Sequence, residues 1–297
     1  TRLKGVMQLF VNDLTVMDFS YLCPKRGMVG ESWIVDVVLD GELNEESMVQ
    51  DFGHVKKNLK RLIDEYVDHK LLVPAEYAGS EVIHDEDSEQ VEVRFSRENG
   101  EKIMLYCPAE AYAILYSDVI TMDSVGVYLK EVLATHLPEN VDNLTLNLRT
   151  EVISSPFYHY THGLKKHDGN CQRIAHGHRS RIDIYLDGKI CEESQTYWAK
   201  RWEDIYVATR EDEIKYADRK LSGSVDAPED YLCFGYESSQ GYFELLIAKA
   251  VCEVIETDST VECLAQYLLV EQKKRTPNGE CKVVAYEGVG KGALVSG

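Results

Sequence analysis

"GESWIVDVVLDGE" at residues 30–42 and "GHRSRIDIYLDGK" at residues 177–189 are two versions of one pattern. Each opens on glycine, alternates side-chain character, and stops at Leu-Asp-Gly. Alternation is the signature of a half-buried strand, and Asp-Gly is a hairpin turn signal. Leu39 and Leu186 stand 147 positions apart. The likeness continues outward. "YVDHKLL" (66–72) resembles "YADRKLS" (216–222), and "FSRENGEKIMLYC" (95–107) resembles "YESSQGYFELLIA" (236–248). "TMDSVGVYLKEVL" (121–133) resembles "ETDSTVECLAQYLL" (256–269). Four matches in one order at similar spacing imply an internal duplication. The boundary falls near residue 152, after "NLTLNLRTEV", which gives copies at 1–152 and 153–297.

Each copy reads as α+β. Two strands form a hairpin ending in LDG. A helix follows, carried by Met48, Phe52, Val55, Leu59, Leu62 and Tyr66 at steps of three and four. A further hairpin turns at Asn99-Gly100 in the first copy. These extra hairpins are expected at about 91–107 and 231–247. Asp123-Ser124 and Asp258-Ser259 are candidate N-caps of a second helix. "LTLNL" (144–148) and "CKVVAYE" (281–287) close the copies as last strands. Two helices then cover one face of an antiparallel sheet in each copy.

The 297 residues are 44% hydrophobic and 28% charged, the composition of a globular protein large enough for two domains. The net charge of −19 argues against a nucleic-acid partner. No run has the length a membrane helix needs, and the opening "TRLKGVMQLFVND" lacks the apolar core of a signal peptide. Eight cysteines show no CxxC spacing, and several sit in apolar runs. Reduced thiols in a cytoplasmic protein are the expectation.

Chemistry concentrates in "HGLKKHDGNCQRIAHGH", residues 162–178, with four histidines, one cysteine and three basic residues. Strand alternation puts His176 and His178 side by side at the end of a face continued by Ser180, Ile182, Ile184 and Leu186. His162, from the preceding strand, can complete a set of three nitrogens. Three neutral imidazoles with an open fourth position make a catalytic zinc site. A closed structural site would take a fourth ligand from Cys171 or His167. H-x-H alone is common on strands that bind nothing.

The first copy lacks this set. It has Val29 and Glu31 at the positions of His176 and His178, and Asp18 opposite His162. No cysteine stands opposite Cys171, since Cys23 is out of register. Conversely, the first copy carries Asp68-His69 where the second reads Asp218-Arg219. A carboxylate beside histidine can orient and charge the imidazole for proton transfer, which arginine cannot replace. One copy keeps metal and thiol; the other keeps the Asp-His pair.

Together these residues resemble the 6-pyruvoyl-tetrahydropterin synthase family, and within it the 6-carboxytetrahydropterin synthases of the queuosine pathway. The carriers are His162, Cys171, His176 and His178, the segment "DHKLL", and a final strand like "VVAYEG". The resemblance implies the tunnelling fold (T-fold), a four-stranded antiparallel sheet with two helices, in tandem, a Zn²⁺ cofactor on His162, His176 and His178, and Cys171, Asp68 and His69 as catalytic residues. It implies Glu287 as the pterin anchor; Glu151 is one place out of register. The implied substrate is 7,8-dihydroneopterin triphosphate, and the implied product is 6-carboxy-5,6,7,8-tetrahydropterin, with 6-pyruvoyl-tetrahydropterin as the alternative. It also implies a homo-oligomer whose domains close into barrels, with thiol and Asp-His pair drawn from neighbouring domains. Lys165, Lys166, Arg173, Arg179 and Arg181 are candidates for the triphosphate. A non-catalytic zinc or pterin-binding module and a zinc hydrolase are the competing readings.

Overall fold

The computed structural model describes residues 7–297, so residues 1–6 of the first expected domain lie outside the described residues. The first half runs β1 (Met7–Cys23), β2 (Gly27–Gly41), α1 (Phe52–Tyr66), β3 (Leu71–Pro74), β4 (Ser80–His84), β5 (Gln90–Ser96), β6 (Lys102–Pro108), β7 (Tyr112–Leu115), α2 (Met122–Ala134) and β8 (Val141–Thr150). The second half repeats the plan: β9 (Phe157–His162), β10 (His176–Leu186), β11 (Lys189–Ile190), α3 (Glu192–Arg201), β12 (Ile205–Thr209), β13 (Glu213–Ile214), β14 (Tyr231–Ser238), β15 (Gly241–Ala248), β16 (Cys252–Ile255), α4 (Val261–Arg275), β17 (Cys281–Tyr286) and β18 (Gly292–Ser296).

Each half is α+β, with helices packed on a sheet. The order is β7-β3-β1-β2-β8 in the first half and β16-β12-β9-β10-β17-β18 in the second. The long hairpins and last strands are antiparallel, as their alternation implies. The short strands are not: β3 and β7 in one half, and β12 and β16 in the other, run parallel to their neighbours. Each sheet is therefore larger and more mixed than four antiparallel strands.

α1 starts at Asp51, whose side chain accepts from His54 N, and buries Val55, Leu59, Leu62 and Ile63. Phe52, expected on that stripe, is 53% exposed. Thr121 and Thr260 cap α2 and α4, rather than the Asp-Ser pairs that follow or precede them. Ser124 instead closes a capping box with Thr121.

The extra hairpins meet. β6 of the first half pairs antiparallel with β15 of the second, placing Leu105 opposite Leu245 in one six-stranded sheet of order β13-β14-β15-β6-β5-β4. Its apolar face, with Phe95, Phe234, Phe243 and Leu245, packs on Leu22, Leu71 and Val73 of one half and Ile174, Tyr206 and Ala208 of the other. This third sheet joins the two halves.

The hairpins β1–β2 and β9–β10 also cross, at Gly30 and Gly177. Gly30 pairs with Ser20 and Gly177 with Thr161, and the Ser20 and Thr161 hydroxyls meet at 2.8 Å. A Cβ on Gly30 would lie 1.9 Å from the Tyr160 carbonyl oxygen, and one on Gly177 would lie 2.6 Å from Gly30 Cα. Only glycine permits this approach. The crossing puts β1 against β10, and the functional cluster grows from it.

Candidate active site

His162 ends β9 and pairs with His176 at the start of β10, with His178 one pleat further on. All three rings are buried. Each Nδ1 faces an acceptor that cannot donate. His162 Nδ1 lies 2.9 Å from the Ser259 carbonyl, His176 Nδ1 2.8 Å from the Arg173 carbonyl, and His178 Nδ1 3.0 Å from Asp18 Oδ1. Each Nδ1 thus has an acceptor for an N–H, which leaves the Nε2 atoms as the ones free to ligate. The Nε2 atoms of His162 and His178 face each other at 3.3 Å. Burial, with neighbouring imidazoles adding to it, holds His162 and His176 well below the usual histidine range. The ligand atoms of all three histidines lie within 4.8 Å of one another. Converging and backed by fixed acceptors, this set suits Zn²⁺.

The second group comes from the other half. After α1 the chain turns at His69, whose φ of 57° is left-handed. This turn aims the ring back at the sheet, 5.0 Å from the His176 ring. His69 Nδ1 lies 2.6 Å from Asp68 Oδ2. His69, Cys171 and His176 offer ligand atoms within 4.8 Å of one another. Burial pulls His69 down, but Asp68 and Cys171 outweigh it and push it up to about 10. An imidazolium held between a carboxylate and a thiol is thus assembled inside a single chain.

Cys171 rides on the segment between β9 and β10. Gly177 follows Thr161 by 16 positions, whereas Gly30 follows Ser20 by 10, so six residues are added in the second half. The β14–β15 turn grips this segment. Gln172 donates from its amide to Ser239 Oγ and accepts from Gln240 N, and Tyr236 donates to the Gln172 carbonyl. Arg173 donates to Gln240 Oε1. The hairpins expected only as additions thus brace the thiol segment.

Register corrects two expected equivalences. Tyr21 pairs with Val29 as His162 pairs with His176, so the counterpart of His162 is Tyr21, not Asp18. Val29 and Glu31 do replace His176 and His178. β3 pairs Leu71 with Ser20, and β12 pairs Tyr206 with Thr161. The counterpart of Asp68-His69 is therefore Glu203-Asp204, not Asp218-Arg219, which lies beyond β12 at a short 3₁₀ turn. Asp204 shares the left-handed backbone of His69, at φ 50°. The corresponding spot in the other half is closed by Arg26, which donates two hydrogen bonds to Asp204, at 2.7 and 2.9 Å.

Glu287 directly follows β17, and its carboxylate lies 3.8 Å from Lys291 Nζ. The next residue, Gly288, donates to Ser180 Oγ and packs against Asp18. Thr150 is its register counterpart and Glu151 aligns with Gly288, as the sequence offset suggested.

Most of the expected phosphate contacts are engaged elsewhere. Lys165 pairs with Glu211 and Asp212, Lys166 with Asp258, and Arg181 with Asp183. Arg179 lies over Phe157 and donates to the Glu151 carbonyl. Arg173 remains, lining a cavity of about 490 Å³ with Lys70, Arg61, Tyr66, Glu110 and Asn170. Sequence reasoning passed over Lys70. Among the described residues its Nζ bonds only the Glu110 and Tyr112 carbonyls, and burial, with Arg173 alongside, pulls it down to about 8.

Fold and cluster define a class: a tandem T-fold protein with a buried three-histidine cluster, a thiol and an Asp-His pair. The profile of the family described as 6-pyruvoyl tetrahydropterin synthase matches residues 23–149 and again 151–296, and the chain belongs to that family. A Pyrococcus horikoshii protein described as "Putative 6-carboxy-5,6,7,8-tetrahydropterin synthase" is 24% identical over 143 residues, 47% of this chain and 76% of that one. The 6-pyruvoyl tetrahydropterin synthase structure from Plasmodium vivax aligns at 14% identity and TM-score 0.41, covering 51% of this chain and 95% of its own. The Plasmodium falciparum enzyme aligns at 12% and 0.39, covering 49% and 91%. No helix among the described residues is long and apolar enough to cross a membrane.

Proposed function

We propose that this pterin synthase family member is a zinc-dependent carbon–oxygen lyase that converts 7,8-dihydroneopterin triphosphate to 6-carboxy-5,6,7,8-tetrahydropterin. The carrying observation is the convergence of the His162, His176 and His178 rings beside the Asp68–His69–Cys171 group. His162, His176 and His178 would hold Zn²⁺, which would supply Lewis acidity toward a substrate hydroxyl.

The chain's own residues do the rest. Cys171 takes the proton from the substrate side-chain carbon. His69, held by Asp68, returns and removes protons at the neighbouring oxygen. Glu287 accepts hydrogen bonds from the N–H groups of the pterin. Arg173 and Lys70, in the cavity beside the thiol segment, meet the triphosphate. We further place the protein in the cytoplasm, in queuosine synthesis, as a homo-oligomer that closes T-fold barrels.

The test is incubation of zinc-loaded protein with 7,8-dihydroneopterin triphosphate, with products identified by mass. Triphosphate release with the 6-carboxy product is expected, the two remaining side-chain carbons leaving as acetaldehyde with one water consumed. The 6-pyruvoyl product would move the assignment within the family. Absence of both would leave a binding module.

A further inference from the structure

Asp18 stands in the half without the three-histidine set, yet it touches both that set, at His178, and the Asp68–His69 pair. It is 7% exposed. Its Oδ1 accepts from His178 Nδ1 at 3.0 Å and from Ser32 Oγ at 2.6 Å. Its backbone N–H donates to Asp68 Oδ1 at 2.7 Å. Its carbonyl accepts from His69 N at 2.7 Å. One residue on β1 thus holds a histidine of the metal set by its side chain and both members of the proton-transfer pair by its peptide.

The other half repeats this arrangement with the chemistry exchanged. By register, the counterpart of Asp18 is His159 and that of His178 is Glu31. His159 and Glu31 also approach each other, at 3.7 Å. Across the crossing, an acid therefore faces an imidazole twice, in opposite senses. Only where the imidazole sits beside His162 and His176 does the pair belong to a metal-competent set.

We propose that Asp18 is a positioning residue for metal binding: it fixes the Nδ1–H tautomer and ring plane of His178, so that the first half completes the zinc site of the second. This rests on the proposed zinc reading. A carboxylate behind a ligating imidazole raises its basicity and orients it, and its removal costs 10- to 100-fold in metal affinity in general. Ser32 Oγ and Gly288, which has no Cβ to crowd Asp18, hold the carboxylate in place.

The experiment measures zinc affinity by chelator competition on folded apo protein, and the visible spectrum of the cobalt-loaded form. Asp18→Asn keeps size and an acceptor but removes the charge. It is expected to weaken zinc by about 10-fold or more and to shift the cobalt bands; Asp18→Ala is expected to weaken it by up to about 100-fold. Ser32→Ala, which leaves the carboxylate but frees it, is expected to fall between Asp18→Asn and wild type. If Asp18→Ala does not fold, the Asn and Ser32 variants carry the test. Wild-type zinc affinity and an unshifted cobalt spectrum in Asp18→Asn would overturn the inference and leave Asp18 as a tie between halves. A wild-type protein that binds no zinc would instead overturn the metal reading itself.

Discussion

Glu31 is a carboxylic acid largely removed from water, and burial pushes it up to about 7. Burial likewise pulls its neighbour His159 down to about 4. The two lie 3.7 Å apart and form a neutral pair over mildly acidic pH. The sign for Glu31 follows from linkage. Between about 4.5 and 7 the unfolded chain has released the Glu31 proton while the folded chain keeps it, so this group's contribution falls as pH rises. Glu31→Gln removes that fall. Its stability relative to wild type should grow across this window by up to about 3 kcal/mol, at about 1.4 kcal/mol per pH unit. Denaturant melts at pH 4.5 and 7.5 check this, and a difference independent of pH would refute it. At the chemistry itself, Cys171→Ala should lower kcat by about 10²- to 10⁴-fold while zinc affinity stays at the wild-type value. The clustering of the three histidines with the thiol was legible because such side chains are rare and their spacing is informative. Asp18 and Lys70 were not legible. An aspartate on a strand says nothing of an imidazole 160 positions away, and a lysine beside histidine says nothing of its carbonyl partners.

Elements show the same division between local and distant information. α1 could be read from its period, and the long hairpins from alternation and Asp-Gly. The parallel pairing of β3 and β12 could not, because two or three residues of register carry no pattern. That is why Asp218-Arg219 looked like the partner of Asp68-His69, while the backbone assigns that place to Glu203-Asp204. The joining of β6 to β15 was hidden for a related reason: both are apolar strands whose partners lie in different copies. Gly30 is the sharpest constraint at this scale. A Cβ there would strike the Tyr160 carbonyl and lie 2.8 Å from His178 N. Neither atom is a flexible side-chain end, so the hairpins must part. Gly30→Ala should cost about 3 kcal/mol, the upper end for overpacking, and should weaken zinc binding through His178. Gly126→Ala, with nothing within 4 Å of the added Cβ, is the control and should leave zinc binding unchanged. Equal metal affinity in the two variants would show that the crossing does not set the site.

At the scale of the molecule, duplication followed by divergence has left one complete cluster and one closed remnant. The second half keeps three histidines and a thiol. The first supplies Asp68, His69 and the carboxylate behind His178. The hairpin crossing and the shared six-stranded sheet bring them together within one chain. At the related position, Arg26 and Asp204 close on each other, and Tyr21, Val29 and Glu31 offer no imidazole. Loading should therefore saturate at one zinc per chain by elemental analysis, and two per chain would contradict it. The same geometry decides a mixing experiment. Were thiol and Asp-His pair supplied by different chains, a mixed oligomer of His69→Ala and Cys171→Ala would contain some intact sites and regain activity. Here His69 and Cys171 of one chain face each other within a single cluster. Co-refolded mixtures of the two variants should stay at the average of the separate proteins, and recovery toward a quarter or more of wild-type turnover would show that sites are shared between chains.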